Sequence, residues 1–370
     1  MRNRLLLILI IINIFLAGCW DQHQLVNKTL VNGISFDLTE EGKIHATVRA
    51  LNIKSKGGGQ FEIEDELVSA ERPTLAGLGI DINSMTAGQV DFSQAHIILI
   101  GDELAQNGIL QLLDPFYRGK DSNIVAKIAI TKGKAEDIIS SEKEKSPIAF
   151  FILQTIEEAE ESTLLPEETI FTVWTNILTT GKDFILPYLE KGESDKIAIA
   201  GVALFNGDKF SGKTLSKEQS SLLLLLLDQL KKTNNMELML NQASEEDRSI
   251  AFSTRKMKRN MEIKVDKTSG DITCNIDISI QIEVNTYPQN LTKDLNIKKL
   301  NKEISVELTN QAKEVIAILL QANCDAFGIG MRLANTHPDL WKKMNWDEDY
   351  KNVQIEPKVN VSIIKTGAVY

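Results

Sequence analysis

The histidines, cysteines and acidic pairs of this chain are the side chains that could serve a metal ion or a catalytic reaction. The four histidines stand far apart, at positions 23, 45, 96 and 337, and none has the His-Glu-x-x-His spacing of a zinc hydrolase. His96 begins an apolar run, where a core histidine is the expected role. No Gly-x-Ser-x-Gly turn occurs, and the cysteines lack catalytic signatures. The pairs Glu157-Glu158 and Glu160-Glu161 are typical of a solvated helix face. The sequence therefore predicts a chain that is not an enzyme and holds no metal or cofactor.

One pattern matches a phosphate-binding loop. Gly207 and the run Gly212-Lys213-Thr214 have the spacing of that motif, between a predicted strand and a predicted helix. However, Asn206-Gly207 is a dipeptide typical of a hairpin turn. We therefore favour a hairpin over a nucleotide site.

The first twenty residues carry a more specific signal. Two arginines precede an apolar run that ends in Leu16-Ala17-Gly18-Cys19, which is the order of a secretory signal peptide. The run is too short to cross the roughly 30 Å hydrocarbon core as a helix. Its end resembles the bacterial lipobox, in which the cysteine sulfur takes a diacylglyceryl group and the preceding peptide is removed. We predict a lipoprotein signal peptide at residues 1–18, a lipid on Cys19 and a body outside the cytoplasm. A secretory signal with a chance cysteine is the alternative.

Composition limits the partners and the number of domains. The chain has 370 residues, with 41 basic and 51 acidic side chains and a formal net charge of -10. This charge excludes the broad basic field that nucleic acid requires. A chain of this length is expected to form two or three domains. Because charge does not draw an acidic body to an anionic membrane, the lipid is expected to hold the protein there.

Hydrophobic spacing predicts the elements that position these side chains. In the first half of the chain, strand patterns such as residues 95–100 alternate with helical ones. The most polar connector, residues 190–196, is where we place the main boundary. We expect an N-terminal α/β region at residues 19–190, either undivided or with two subdomains dividing near residue 118, and a C-terminal α+β region at residues 191–370.

The C-terminal region has the clearest strand signal. Apolar and polar residues alternate across residues 272–284, and the pattern returns at residues 353–363. Residues 299–327 between them have helical spacing, and Pro357 favours an edge strand. The sequence predicts a mixed α/β multidomain chain of α+β type, with a C-terminal antiparallel sheet packed with a long helix.

Two cysteines and three aromatic residues of this region are further candidates. Cys274 and Cys324 are both expected to face one core, where a disulfide and two free thiols remain open and free thiols are favoured. Trp341, Trp346 and Tyr350 concentrate aromatic side chains in one short stretch. Such a group suits a core and an interface equally well. We take these three as a possible partner surface.

Several segments occur in an order and spacing that indicate a known family. They are Cys19-Trp20-Asp21 with Asn32-Gly33-Ile34-Ser35-Phe36-Asp37, residues 92–109, residues 200–205 with Asp208-Lys209 and Gly212, Asp325-Ala326-Phe327-Gly328-Ile329-Gly330, and Trp341-Lys342 with Trp346 before a final strand ending at Gly367. Taken together, the chain resembles the Ger(x)C spore germination lipoproteins, the C subunits of nutrient germinant receptors. Gln24 departs from the family, which tends to have an acidic residue there.

The resemblance implies a three-part body without enzymatic activity, tethered by the lipid on Cys19 to the extracytoplasmic face of the spore inner membrane. It also implies two integral-membrane partner subunits and a role in nutrient-triggered germination. The rival class is a lipid-anchored solute-binding protein of a transporter. That class should show two doubly wound parallel lobes around a cleft, whereas residues 272–370 predict an antiparallel sheet.

Overall fold

The computed structural model contains two β-sheets with helices packed on them. The described residues are 28–57, 60–86, 88–119, 122–141, 148–192, 196–240, 249–266, 268–286 and 296–366. The predicted signal peptide and Cys19 lie outside them. No helix in these ranges has the length and hydropathy needed to cross a bilayer.

The larger sheet has nine strands among the described residues. They are β1 (Lys28–Leu38), β2 (Ile44–Gly57), β3 (Gln60–Arg72), β4 (Gln89–Asp91), β5 (Ile97–Gly101), β6 (Lys127–Thr131), β7 (Ile185–Lys191), β8 (Ile197–Asn206) and β9 (Lys209–Ser216). Their order is β3-β2-β1-β5-β6-β7-β8-β9, with β4 beside β1. The central strands β1, β5, β6 and β7 run parallel, and antiparallel strands flank them on both sides. Strands β5 and β6 are buried along their whole length, as parallel strands covered on both faces are expected to be.

Helices cover both faces of this sheet. They are α1 (Leu75–Met85), α2 (Asp102–Asn107), α3 (Leu110–Arg118), α4 (Glu136–Ile139), α5 (Ile148–Glu161), α6 (Ile170–Ile177) and α7 (Lys217–Leu226). Because side chains alternate along a strand, Ile98 and Ile100 of β5 pack with α1, α2, α3 and α6, while Ile97 and Leu99 pack with α4, α5 and α7 on the other face.

The smaller sheet has four strands in the part of the chain that the structure describes. They are β10 (Asn235–Met239), β11 (Ser249–Val265), β12 (Ile272–Thr286) and β13 (Gln354–Thr366), accompanied by α8 (Ile297–Ala322), α9 (Ile329–Thr336), α10 (Pro338–Trp341) and α11 (Trp346–Asp349). The alternation predicted for β12 is confirmed, since Ile278 is buried and Ser279 is exposed. The mixed fold with a C-terminal sheet packed on a long helix is also confirmed. Two of its pairs are antiparallel, and β12 with β13 is parallel because α8 crosses over between them.

Strand β13 lies at the edge of the smaller sheet, as Pro357 predicted. Three side chains of α8 accept hydrogen bonds from backbone N–H groups of this edge. The pairs are Asn301 with Ile363 at 2.9 Å, Ser305 with Val361 at 2.9 Å and Thr309 with Val359 at 3.1 Å. Residues four apart share one helix face, so this face of α8 occupies the place of a further strand.

Two turns bear on the sequence predictions. Residues 192–196 join β7 to β8, which pair antiparallel, so the larger sheet continues across the connector where the sequence places the main boundary. Gly207, with φ 58°, forms the turn between β8 and β9, and Lys213 lies within β9. The predicted hairpin is confirmed at the phosphate-loop pattern.

Candidate functional site

The segment between α8 and α9 places a carboxylate inside the protein. Helix α8 ends because Asn323 adopts a left-handed conformation, with φ 53°. The chain turns again at Gly328, with φ 65°, and α9 begins. The Asp325 carboxylate accepts hydrogen bonds from the N–H groups of Ile329 at 2.9 Å and Gly330 at 2.8 Å. Asp325 therefore caps the first turn of α9, where the free N–H groups and the helix dipole favour a negative charge.

A second aspartate connects this segment to the larger sheet. Asp183, just before β7, accepts a hydrogen bond from the Asp325 N–H at 2.7 Å, and its own N–H donates to the Asp325 carbonyl at 3.0 Å. Its other carboxylate oxygen accepts from the Gly207 N–H at 2.7 Å. One side chain thus holds together the loop before β7, the turn between β8 and β9, and the segment that leads into α9.

Two glycines permit this close contact. The Met331 N–H donates to the Gly181 carbonyl at 2.7 Å. Gly181 has φ 73°, and a Cβ atom there would lie 2.6 Å from the Gly330 carbonyl carbon. A Cβ atom on Gly330 would lie 2.4 Å from Nε1 of Trp346, which donates to Asp325 at 3.1 Å. Only glycine fits at these two positions. We define the aspartate junction as Gly181, Asp183, Asp325, Gly330 and Trp346.

Burial controls the protonation of the aspartate junction. Removal from water raises the pKa of Asp183 to about 6 and the pKa of Asp325 to about 7, although backbone N–H donors oppose the rise in both cases. The Asp325 residue is 1% exposed and its carboxylate oxygens already accept three hydrogen bonds, so an external substrate does not reach it. The aspartate junction therefore connects the larger sheet to the segment between α8 and α9 through two carboxylates whose pKa values burial raises.

The predicted partner surface requires one correction. Tyr350 is 1% exposed and its hydroxyl donates to the Cys324 carbonyl at 2.9 Å, so this side chain belongs to the core and is not available to a partner. Trp341 and Trp346 are partly exposed, with ring centroids 5.5 Å apart. The aromatic stretch therefore runs from the core to the surface, and the two tryptophans remain as candidates.

Both cysteines of the described chain are free and buried. Burial raises the pKa of Cys274 to about 12 and holds the pKa of Cys324 well above its usual range. These thiols are therefore poor nucleophiles. Cys19, the predicted lipid site, lies outside the described residues.

The remaining polar candidates cap or pack against neighbouring elements. Asp37, at the end of β1, accepts from the Ala135 and Glu136 N–H groups at 2.7 and 2.9 Å, and burial raises its pKa. His45 lies 3.3 Å from the Glu136 carboxylate in a polar cleft of about 790 Å³. His96 precedes β5 with its ring 5.1 Å from that of Phe150. In the described ranges, no group of three or more His, Cys, Asp or Glu side chains could hold a metal ion.

Sequence reasoning assigned no role to the aspartate junction. Asp325 entered only as part of a family segment, and Asp183 did not enter at all. The sequence carries little signal for this role, since Asp183 is a single acidic residue between Gly181-Lys182 and the apolar run Phe184-Ile185-Leu186. The two residues are 142 positions apart, and local spacing does not report such a contact.

Two sequence models of known domains match the chain in order. The spore germination protein N-terminal domain matches residues 21–191, and the spore germination B3/GerAC-like C-terminal domain matches residues 200–367. The two matches meet close to the polar connector between β7 and β8.

Similar proteins match over almost their whole length. Spore germination protein GerQC of Bacillus cereus is 23% identical over 98% of this chain and 98% of the relative. Spore germination protein KC of Bacillus subtilis (strain 168) is 21% identical over 99% of this chain and 96% of the relative. The crystal structure of the GerBC protein has the same fold, with a TM-score of 0.59 at 17% identity over 93% of this chain and 100% of that chain. From the two domain matches and this shared fold, we conclude that the chain belongs to the Ger(x)C family of spore germination proteins.

Proposed function

We propose that this protein is a lipid-anchored, non-catalytic subunit of a membrane germinant receptor. It acts in nutrient-triggered spore germination by docking on two integral-membrane partner subunits. The observation that carries the proposal is the match of both family domains, in order, over nearly the whole chain. The names of its relatives as spore germination proteins support the same role.

The chemistry of the described residues supports a role without catalysis. The carboxylates of Asp183 and Asp325 accept hydrogen bonds from structural N–H groups. The buried thiols have raised pKa values, so little thiolate forms at neutral pH. The two carboxylates connect neighbouring segments and the two thiols are buried, so a reacting substrate has no free approach to these groups.

The anchor is proposed from the sequence. The order Leu16-Ala17-Gly18-Cys19 supports a diacylglyceryl lipid on Cys19 and a body at the extracytoplasmic face of the spore inner membrane. The lipid raises the effective concentration of the body at its membrane partners, so a weak interface suffices. The exposed parts of Trp341 and Trp346 are our candidates for that interface, because aromatic side chains tend to dominate interface energies.

A solute-binding protein is the less well supported alternative. Such a protein requires two doubly wound lobes around a cleft. The strands of the described chain instead form one mixed sheet of nine strands and one sheet of four.

Deletion of the gene tests the proposal. The test uses a spore strain that carries this receptor and no other nutrient receptor, because other receptors could mask the effect of the deletion. Spores with and without the gene are exposed to amino acids, sugars and nucleosides, and loss of refractility is followed. We expect the deletion to abolish the response to one nutrient class and to leave vegetative growth and solute uptake unchanged. Normal germination with a defect in uptake would replace the receptor proposal with transport.

A further inference from the structure

Five apolar side chains lie exposed around α6 and the loop before β6. Their exposed fractions are 41% for Tyr117, 38% for Ile124, 65% for Val125, 46% for Phe171 and 64% for Leu178. We call these five residues the apolar rim. Single exposed apolar residues are ordinary, but a contiguous group indicates a contact surface.

Backbone and ring contacts join the members of the apolar rim. The Phe171 N–H donates to the Ile124 carbonyl at 2.9 Å, which places the start of α6 beside the loop. Tyr117, at the end of α3, stacks on Trp174 of α6 with ring centroids 4.6 Å apart. The rim is therefore built on one helix and the two segments that contact it.

The composition of α6 also indicates an apolar environment on its outer side. Its inner face consists of the buried residues Ile170, Val173 and Trp174, while Phe171 and Leu178 are exposed. Residues 170–181 contain no charged side chain. A helix at a protein surface normally has charged and polar residues on its outer face. The exposed positions 171, 175 and 178 are Phe171, Thr175 and Leu178, so this side carries two apolar side chains and a threonine in place of charged residues, which suits contact with an apolar partner.

The strand register places the rim at the edge of the sheet where the chain begins. Strands β1, β5 and β6 are parallel, with Gly33 aligned to Ile97 and Ile97 aligned to Lys127. Val125 lies two residues before Lys127, and Lys28 is the first residue of β1. Both therefore lie toward the edge formed by the first residues of the parallel strands.

The position of Cys19 limits how far this edge can be from a membrane. Residues 20–27 separate Cys19 from Lys28, and a chain of that length spans at most about 30 Å. A lipid on Cys19 would keep this edge of the sheet near the bilayer.

We propose that the apolar rim contacts the interface of the bilayer in which the lipid of Cys19 is inserted. This inference rests on the lipid anchor proposed above. Aromatic side chains are enriched at membrane interfaces, and apolar faces of helices bind there. Contact through the rim orients the body on the membrane. Charge does not provide this orientation, because an acidic protein is not attracted to an anionic membrane surface.

Photo-crosslinking from single positions tests the inference. The photoreactive residue p-benzoylphenylalanine replaces Val125 or Phe171 in the chain that begins at Cys19. Met239 is the matched control position, since it is 64% exposed and belongs to the smaller sheet, which packs on the opposite face of the larger sheet. Cys19 is coupled to a maleimide lipid in vesicles of phosphatidylglycerol and phosphatidylcholine, and lipid adducts are counted by mass spectrometry after illumination. The two other thiols are buried, so coupling is directed to Cys19.

We expect several times more lipid adducts at positions 125 and 171 than at position 239. Equal adduct yields at the three positions, with the tether verified by flotation of the vesicles, would overturn the inference. If illumination of spore membranes gave adducts of position 125 with an integral-membrane protein while the vesicles gave no lipid adducts, the rim would be a protein interface instead. Because the tether is chemical, neither result depends on whether cells attach a lipid to Cys19.

Discussion

The backbone N–H of Asp183 donates to the Asp325 carbonyl, and the Asp183 carboxylate accepts from the Asp325 N–H, so two residues 142 positions apart form a closed ring of hydrogen bonds. Through this ring, a loop of the larger sheet is fixed to the first turn of α9. The two carboxylates share one buried region, and the charge of Asp183 contributes to the raised pKa of Asp325. The stability of the contact is therefore tied to pH.

The first prediction is that the protein becomes more stable as the pH falls from about 8 to about 5. The pKa of Asp325 is raised to about 7 in the folded protein, so the folded state keeps a proton that the unfolded chain has released. Ionisation above that pKa lowers the free energy of unfolding. Asp325→Asn should weaken the dependence of the melting temperature on pH in this window, and the raised pKa values of Glu168 and Asp183, about 7 and about 6, should account for the part that remains. Asp339→Asn, which changes a highly exposed carboxylate, should not.

The second prediction concerns the close approach of Gly181 to Gly330. Gly181→Ala places a methyl group 2.6 Å from the Gly330 carbonyl carbon in a left-handed backbone. Gly212→Ala is the matched control, because Gly212 has φ 77° with no atom within 4 Å of the added carbon. The control should lose about 1 to 2 kcal/mol from its backbone conformation alone. Gly181→Ala should lose clearly more in urea unfolding, and equal losses would show that the contact at the aspartate junction is loose.

The third prediction uses the alternation of β12. Ile278→Asp buries a carboxylate and should lower the free energy of unfolding by several kcal/mol. Ser279→Asp, on the exposed side of the same strand, should be nearly neutral. Thermal melts of the two variants compare them directly, and similar melting temperatures would contradict the register of β12.

The fourth prediction is that Cys19→Ala abolishes lipid attachment and releases the protein from the membrane. The thiol is the only group in the predicted lipobox that can take a diacylglyceryl chain. Metabolic labelling with a radioactive fatty acid measures it. Cys274→Ala, which changes a buried thiol, should keep the label. Label retained by Cys19→Ala would rule out this residue as the anchor.

Local patterns predicted the elements, while contacts between distant residues could not be predicted. The period of two in β12 depends only on neighbouring residues, so the strand and its buried side followed from the sequence. Alternation is the same in parallel and antiparallel strands, and the parallel pairing of β12 with β13 was therefore missed. The long helix between the two strands was the available signal, because parallel neighbours need such a crossover.

The role of Tyr350 also depends on a contact with a distant residue, which local sequence patterns do not predict. Its hydroxyl group bonds to a carbonyl 26 positions earlier in the chain, and that contact decides that the ring is core. The sequence shows three aromatic residues in one stretch, but it does not show which of their side chains are buried and which are exposed. The pairing of Asp183 with Asp325 depends on two glycines that approach each other, which only the folded backbone reveals.

The cover that α8 provides for β13 limits how another molecule can contact the smaller sheet. An open strand edge invites a strand of another molecule, both in recognition and in aggregation. At β13, the N–H groups of Val359, Val361 and Ile363 are already bonded to helix side chains. A partner cannot extend the smaller sheet from this side without first displacing the helix. Two copies of the chain are thereby protected from joining edge to edge through β13, and any molecule that contacts this side must do so through side chains.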